Sequence, residues 1–387
     1  MGVTELPVRY SLDEEQQLLQ DSARRLLDSR SPVAALRELR DRGDGDGFSR
    51  PLWAEVARLG WSGILVPEAF GGVDLGHAAA GIIAAECGRT LTALPLLSTA
   101  VTGVTAVLRG GSPEQQARIL PAVAAGRCLL ALGVDERPRH APGDISTVAV
   151  RGDGGYRLSG RKIFTLDGHV ADYLIVSARI AEPERNGPDA TALFLVDAAA
   201  AGVGIERTIM IDSRNAADVT LAEVQLGPES RLGAGADGTA LLESVLDAGR
   251  ALLAAELVGL ARECLRRTVQ HVCERRQFGR RIAEFQSLQH RLAHLFCEIE
   301  LAASLARAAA TAVQEDGESR RMLVGAAKAK SAEAAMLAAS EAVQMHGGIG
   351  MTDELDVGLF LKRIRAACET YGDVAFHRDR VARLHGV

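Results

Sequence analysis

Two stretches late in the chain carry residue types suited to holding an anion. The first, Glu274-Arg275-Arg276-Gln277-Phe278-Gly279-Arg280-Arg281-Ile282, runs on to Phe285-Gln286 and Gln289. A guanidinium such as that of Arg275 offers a rigid planar fork that matches phosphate oxygens. The second, Gln344-Met345-His346-Gly347-Gly348-Ile349-Gly350, contains paired glycines, which let backbone N–H groups come close to an anion. Each stretch also has an ordinary reading. An arginine in a helix is usually a solvated charge, and a glycine pair often does no more than end a helix. Near the C-terminus stand Glu369, Tyr371 and Asp373, and upstream stands Asp247. A phenol is a poor base, its reference pKa being about 10. Asp373, ahead of Val374 and Ala375, also suits a helix cap.

The elements that must position these residues fall into three blocks. Residues 1–125 read as helices. Ser11 stands as a cap before Asp13-Glu14-Glu15, and Leu18, Leu19, Ala23, Leu26 and Leu27 share a face. Residues 53–59 form a further amphipathic stretch ended by Gly60, and Val66-Pro67-Glu68 with Gly71-Gly72 makes a turn. Residues 77–87 and 94–108 complete the helical block, which Gly110-Gly111 breaks. Across 126–232 short β-branched runs appear at 146–151, 156–164, 173–176, 192–196 and 219–224. Turn residues such as Gly152-Asp153-Gly154-Gly155 and Asn186-Gly187-Pro188 separate them, which predicts a small antiparallel sheet, sandwich or barrel. Residues 233–387 return to helical period, with Leu292, Leu295, Phe296, Ile299, Ala302, Ala303 and Ala306 on one stripe, and predict a four-helix bundle. The fold class is therefore α+β.

Composition closes several doors. A chain of 387 residues is too long for one compact core, and its 47% hydrophobic and 24% charged content is an ordinary globular balance. A net charge of −6 gives no basic footprint for nucleic acid and no cationic face for a membrane. No run of about 18 apolar residues is present to span a bilayer. The six cysteines are scattered without a CxxC pair, which speaks against a metal site or disulfide framework. The charged N-terminus lacks a secretory apolar core, so the expected compartment is cytoplasmic. Strands do not alternate with helices and no GxGxxG opens a helix, which disfavours a nicotinamide enzyme.

The late motifs carry a resemblance. Arg275 to Ile282 with Phe285-Gln286 is similar to the RxxFGxxIxxFQ signature of acyl-CoA dehydrogenases, and 344–350 resembles their QxxGGxG segment. Leu65-Val66-Pro67-Glu68 with Gly71-Gly72 resembles their vPExxGG turn, and Tyr156-Arg157-Leu158-Ser159-Gly160-Arg161-Lys162 their dGyxLxGxK strand. All four occur in the family's order. The resemblance implies a helical N-terminal domain, a central β domain and a C-terminal bundle. It implies FAD as cofactor, an acyl-CoA thioester as substrate, and electron-transfer flavoprotein as acceptor. On the same footing Arg275 would meet the FAD diphosphate across a subunit junction, with Gln344, Gly347 and Gly348 as further contacts. Phe278 would pack near the cofactor and Gln286 would hydrogen-bond it. In the family a carboxylate takes the α-proton while a hydride leaves the β-carbon, the thioester carbonyl being polarised by an oxyanion-hole arrangement.

The departures concern the base and the flavin-facing strand. The family's YEGT segment falls on Thr370-Tyr371-Gly372-Asp373, which puts Tyr371 in the glutamate position. An alternative base position on the helix before the arginine signature falls on Gly249. Three readings follow: a displaced carboxylate, with Asp373 ahead of Asp247 and Glu369; a base-less partner in a heterotetramer, a branch that handles bulky steroid side-chain thioesters; or a homomer with divergent chemistry or no turnover. A W-I-T-N-type segment becomes Phe164-Thr165-Leu166-Asp167-Gly168, in which Phe164 as an aromatic can still cover the flavin ring and Leu166 replaces a hydroxyl. A TEPGAGSD-type loop becomes Asp135-Glu136-Arg137-Pro138-Arg139-His140, which does not read as flavin-binding. The competing function is a non-catalytic subunit that stabilises a related dehydrogenase. Acyl-CoA oxidase and nitroalkane-oxidase-like activities are remoter.

Overall fold

The computed structural model describes residues 12–181, 190–233 and 237–386. The N-terminal helices are α1 (Glu14–Arg30), α2 (Val33–Asp41), α3 (Arg50–Arg58), α4 (Gly76–Thr90), α5 (Val104–Gly110) and α6 (Pro113–Ala124). The strands are β1 (Leu130–Gly133), β2 (Val148–Gly152), β3 (Gly155–Leu166), β4 (Tyr173–Ala181), β5 (Ala190–Asp197), β6 (Val203–Ile209), β7 (Asn215–Leu226) and β8 (Arg231–Leu232). Then come α7 (Gly238–Glu274), the short strands β9 (Arg276–Gln277) and β10 (Arg280–Arg281), α8 (Gln286–Glu315), α9 (Arg320–His346), α10 (Val357–Glu369) and α11 (Val374–Leu384). The order is helices, sheet, helices, as the sequence predicts.

Local chemistry sets the boundaries. The predicted cap Ser11 and the turn Asn186-Gly187-Pro188 lie outside the described residues. Asp13 caps α1 instead, its carboxylate accepting from the Gln16 backbone N–H at 2.8 Å. Ser112 and Gln115 form a reciprocal capping box at the start of α6, with Pro113 in the first turn. Leu96–Gly103, expected as ordinary helix, is a fully buried π-helix that leads into α5. The turn at Gly71-Gly72 is needed as glycine. Gly71 has φ +80°, and a Cβ on Gly72 would lie 2.0 Å from the Val66 carbonyl oxygen.

The chain divides into two compact units. One holds the described residues of Leu39–Ala80 and Ala93–Arg250. Its sheet runs β6-β7-β3-β2-β4-β5-β8, with β1 beside β4. The sheet is mixed, which corrects the purely antiparallel expectation: β1 and β2 both pair with β4 in parallel. A parallel pair needs a long connection, and here the β2–β3 hairpin lies between β1 and β4. Strand β1 is buried at all four positions, so it shows no alternation to mark it in sequence. The core gathers Leu158, Leu174, Val176, Phe194, Val196 and Val219, with Tyr156 packed edge-on against Phe194 at 5.0 Å.

The other unit holds the described residues of Met1–Glu38, Gly81–Thr92 and Ala251–Val387. Within it α8, α10 and α11 all pack on α9. Buried Ala327, Ala335, Ala338, Ala339 and Ala342 line α9 and let these helices approach closely. The stripe predicted on α8 is buried at Leu295, Ile299, Ala302, Ala303 and Ala306. Among the described residues no helix is long and apolar enough to cross a membrane.

Candidate functional site

Arg275 follows the last residue of α7 directly and opens a tight hairpin, β9–β10. Its carbonyl accepts from the Ile282 N–H at 2.9 Å and so closes the loop. The two residues at the tip, Phe278 and Gly279, have φ of +53° and +78°. A two-residue hairpin with both φ positive matches the natural twist of the strands. Glycine adopts that geometry freely, whereas a phenylalanine there stores roughly 1–3 kcal/mol of strain. Phe278 is nevertheless 89% exposed, touching its own chain through an edge contact with Phe285 at 6.1 Å. Arg280 lies over the Phe285 ring at 4.0 Å. Arg275 and Gln286 are exposed as well. A strained, exposed aromatic beside exposed arginines has the character of a surface made for something outside the chain.

The glycine segment completes this face. Helix α9 ends at His346, with Gln344 exposed in its last turn. Gly347 has φ +66°, and a Cβ added at Gly347 or Gly348 would meet nothing within 4 Å. Packing inside the chain therefore does not require Gly348 to lack a side chain. A ligand approaching the backbone would. The hairpin and the bend are joined by a residue that no motif contains: His271, one turn before Arg275, stacks on His346 with ring centroids 4.2 Å apart and planes inclined by 27°. Arg275 and Gly347 thus lie in one unit, four residues after His271 and one residue after His346 respectively.

Phe164 belongs to the other unit. It sits at an irregularity of the β3–β7 pairing between Lys162 and Thr165, has φ +50° and is 50% exposed. Such a bulge re-aims a side chain away from the alternating pattern. The neighbouring Thr165 hydroxyl is buried with no hydrogen-bond partner among the described residues. Asp167 accepts from the Ser98 hydroxyl at 2.5 Å.

The carboxylates near the base positions have other work. Asp373 caps α11, its carboxylate accepting from the Phe376 N–H at 2.7 Å. Tyr371 is buried and left-handed, with φ +56°, and Gly372 follows with φ +112°. This turn is gripped from α9 by the buried Lys328 ammonium, which donates to the carbonyls of Ala367, Cys368 and Gly372 at 3.0, 3.0 and 3.3 Å. Glu369 is exposed and faces Arg365. In the sheet unit Asp247 is fully buried and accepts from Arg250 at 3.1 Å, while Gly249 between them is also buried. Arg250 further donates to Glu243 at 3.1 Å and to His140 Nε2 at 3.2 Å. A guanidinium does not give up its proton, so His140 Nε2 is the acceptor and Nδ1–H donates to Asp135, 2.8 Å away.

The loop that departs from the flavin-binding pattern is thus tied into its own unit. Glu136 makes a 2.6 Å ion pair with the buried Lys162 and accepts from the N–H groups of Ser146 and Thr147. Burial alone would raise its pKa, but the Lys162 bond and charge, with Thr147, outweigh this and bring it to about 2. Sequence reading missed His271, Lys328 and the Arg250–His140 contact. His271 offered one signal, its position a helical turn before Arg275. Its partner lies too far along the chain for spacing to show.

The acyl-CoA dehydrogenase N-terminal domain matches residues 13–127, the middle domain 139–224 and the C-terminal domain 236–385. The chain belongs to the acyl-CoA dehydrogenase family. Members of this family are FAD flavoproteins and oxidoreductases. This dehydrogenase is 32% identical to cyclohex-1-ene-1-carbonyl-CoA dehydrogenase of Geobacter metallireducens, over 89% of its length and 90% of the relative's. It is 31% identical to the acyl-CoA dehydrogenase FadE12 of Mycobacterium tuberculosis, covering 82% of each chain. Among solved structures it resembles a variant of the Tcur3481-Tcur3483 steroid ACAD, with TM-score 0.85, 29% identity and 96% and 98% of the two chains covered. The ChsE4-ChsE5 complex from Mycobacterium tuberculosis shares the fold, with TM-score 0.88 at 24% identity and 98% and 99% coverage.

Proposed function

We propose that this acyl-CoA dehydrogenase binds FAD and serves as the base-less partner subunit in a heteromeric enzyme that desaturates an acyl-CoA thioester. One observation carries the reading. Arg275, Gln344, Gly347 and Gly348 are all exposed, while Asp373 and Asp247 are committed to a helix cap and to Arg250. The open space at Gly348 and the outward Phe278 fit a cofactor that approaches from outside the chain. Arg275, Gln344, Gly347 and Gly348 would hold its diphosphate across a subunit junction. Phe278 and Gln286 would lie near it, and Phe164 would cover the flavin ring. The chemistry supplied by bound FAD is acceptance of the hydride that leaves the β-carbon, with electron-transfer flavoprotein as the onward acceptor.

Tyr371 stands in the position where the family keeps its glutamate. A phenol, with a reference pKa of about 10, is a poor base for an α-proton. A related subunit that retains its glutamate supplies that base. The steroid ACAD named as a Tcur3481-Tcur3483 pair, at 29% identity, supports a two-chain arrangement and a bulky acyl group. Cyclohex-1-ene-1-carbonyl-CoA dehydrogenase supports a cyclic one. The internal bonding of the Asp135–His140 loop favours a second reading, in which the chain only stabilises a related dehydrogenase.

Anaerobic bleaching of the flavin by acyl-CoA tests the proposal. The chain assembled with a glutamate-bearing relative bleaches, and the chain alone does not. Asp373→Asn separates the cap from the base, because asparagine caps a helix as well as aspartate and carries no proton-accepting charge. We expect bleaching rates within about twofold of the parent and an unchanged melting temperature. Bleaching by the isolated chain that disappears in Asp373→Asn would show that Asp373 is the base and refute the partner reading. A complex that turns over without any flavin in this chain's site would favour the stabilising role.

A further inference from the structure

The stacked pair His271–His346 lies at a point where two segments of the cofactor surface must be held in register. Arg275 follows the end of α7, one turn beyond His271, and Gly347 follows His346, the last residue of α9. Both residues precede a loop, and neither loop is held by a buried side chain at its tip: Phe278, Gly347 and Gly348 are all exposed. The ring contact, at 4.2 Å, is therefore well placed to set the spacing between the loops. His346 is itself oriented, because its Nδ1 lies 2.7 Å from the Ala342 carbonyl one turn back on α9. That carbonyl can only accept, so Nδ1 carries a proton and the ring plane is fixed.

We propose that His271 is a positioning residue for the dinucleotide site: its stack on His346 sets the distance between Arg275 and the Gly347–Gly348 bend so that both engage one diphosphate. The inference rests on the cofactor assignment above and deepens it, by naming what aligns the two halves of that site.

The clasp has a sign with respect to pH. The titratable or charged groups facing His271 are His346 from α9 and, from its own chain segment, Arg275 and Glu274, the last held by the Gln270 amide at 3.1 Å. Burial, then His346, then Arg275 lower the pKa of His271, with Glu274 opposing. A lowered value means the stacked form binds the proton less readily than a free imidazole does. The clasp is therefore fully formed above the free value of about 6.5 and weakens as pH falls below it. Protonation would set a second positive charge beside Arg275 and against the His346 ring.

The experiment measures FAD affinity and melting temperature of the full chain in its assembled form, for His271→Ala, His271→Phe and Arg275→Ala, from pH 5 to 8. His271→Ala is expected to weaken FAD binding about tenfold, the order of one misplaced charge-assisted contact, without an equal loss in the apoprotein's melting temperature. His271→Phe keeps a flat ring that stacks but does not titrate. It should keep the parent affinity at pH 8 and lose less affinity than the parent on going to pH 5. If His271→Ala proves unfolded, the phenylalanine variant alone decides, and the parent's full acid sensitivity in it overturns the proposal. Unchanged affinity in folded His271→Ala, with FAD lost in Arg275→Ala, removes the clasp and leaves the cofactor assignment standing. No effect of Arg275→Ala removes the cofactor assignment itself.

Discussion

Replacing Glu256 with alanine should destabilise the helical unit by about 3–5 kcal/mol, as the loss of one member of a buried ion pair does. Arg363 on α10 and Glu256 on α7 meet as two forks. Arg363 Nε donates to one carboxylate oxygen at 2.8 Å and Nη2 to the other at 2.7 Å. Both side chains are almost wholly buried, at 4% and 8% exposure, so water screens the pair very little. Removing Glu256 takes away the carboxylate that neutralises the buried guanidinium, and this lost compensation makes up most of the penalty. The double variant Glu256→Met, Arg363→Met should therefore be more stable than Glu256→Ala alone, since it buries no charge at all. Urea unfolding of the parent and the two variants checks this. A loss below about 1 kcal/mol for Glu256→Ala would mean that the pair is solvated, as exposed salt bridges are.

The second large effect is on the cofactor. Arg275→Ala should weaken FAD binding by about ten- to a hundredfold, because a guanidinium–phosphate contact is charge-assisted and stronger than a neutral hydrogen bond. Arg275 is exposed and lies outside any helix core, so the substitution should leave the melting temperature of the apoprotein nearly unchanged. Arg276→Ala makes the control. It stands on the same hairpin, one residue on, and is absent from the family signature. It should retain most of the affinity. Equal losses in the two variants would reduce the role of Arg275 to general positive charge, and the affinity would then fall with salt in the same way for both.

The order of helices, sheet and helices was legible because each block has its own hydrophobic period. The stripe on α8 and the strand runs at 156–164 and 219–224 show this directly, lying inside β3 and β7. The parallel junctions of β1 and β2 with β4 were not legible. Four buried residues without alternation give no strand signal, and partner choice across a long connection leaves no local trace. The motif residues of the candidate site could be named from sequence because they lie in short contiguous segments. Their support could not. Lys328 reads as an ordinary helical lysine, yet its ammonium is buried against three carbonyls more than 35 residues away in sequence. His140 looked like part of a lost cofactor loop, and its two ring nitrogens bridge Asp135 to Arg250. Asp373 was legible both as cap and as base, and the bond from Phe376 identifies the cap. Gly-Asp before a helix is a local pattern, whereas proton abstraction depends on what comes near from elsewhere.

The face made by Arg275 and the Gly347–Gly348 bend is proposed to hold a flavin dinucleotide. Its most direct test is the visible spectrum of this chain purified with its natural assembly. Oxidised flavin absorbance, released as FAD on denaturation and lost from the Arg275→Ala assembly, is the predicted result. A colourless assembly that takes up no added FAD, or one whose flavin content is indifferent to Arg275, would contradict it.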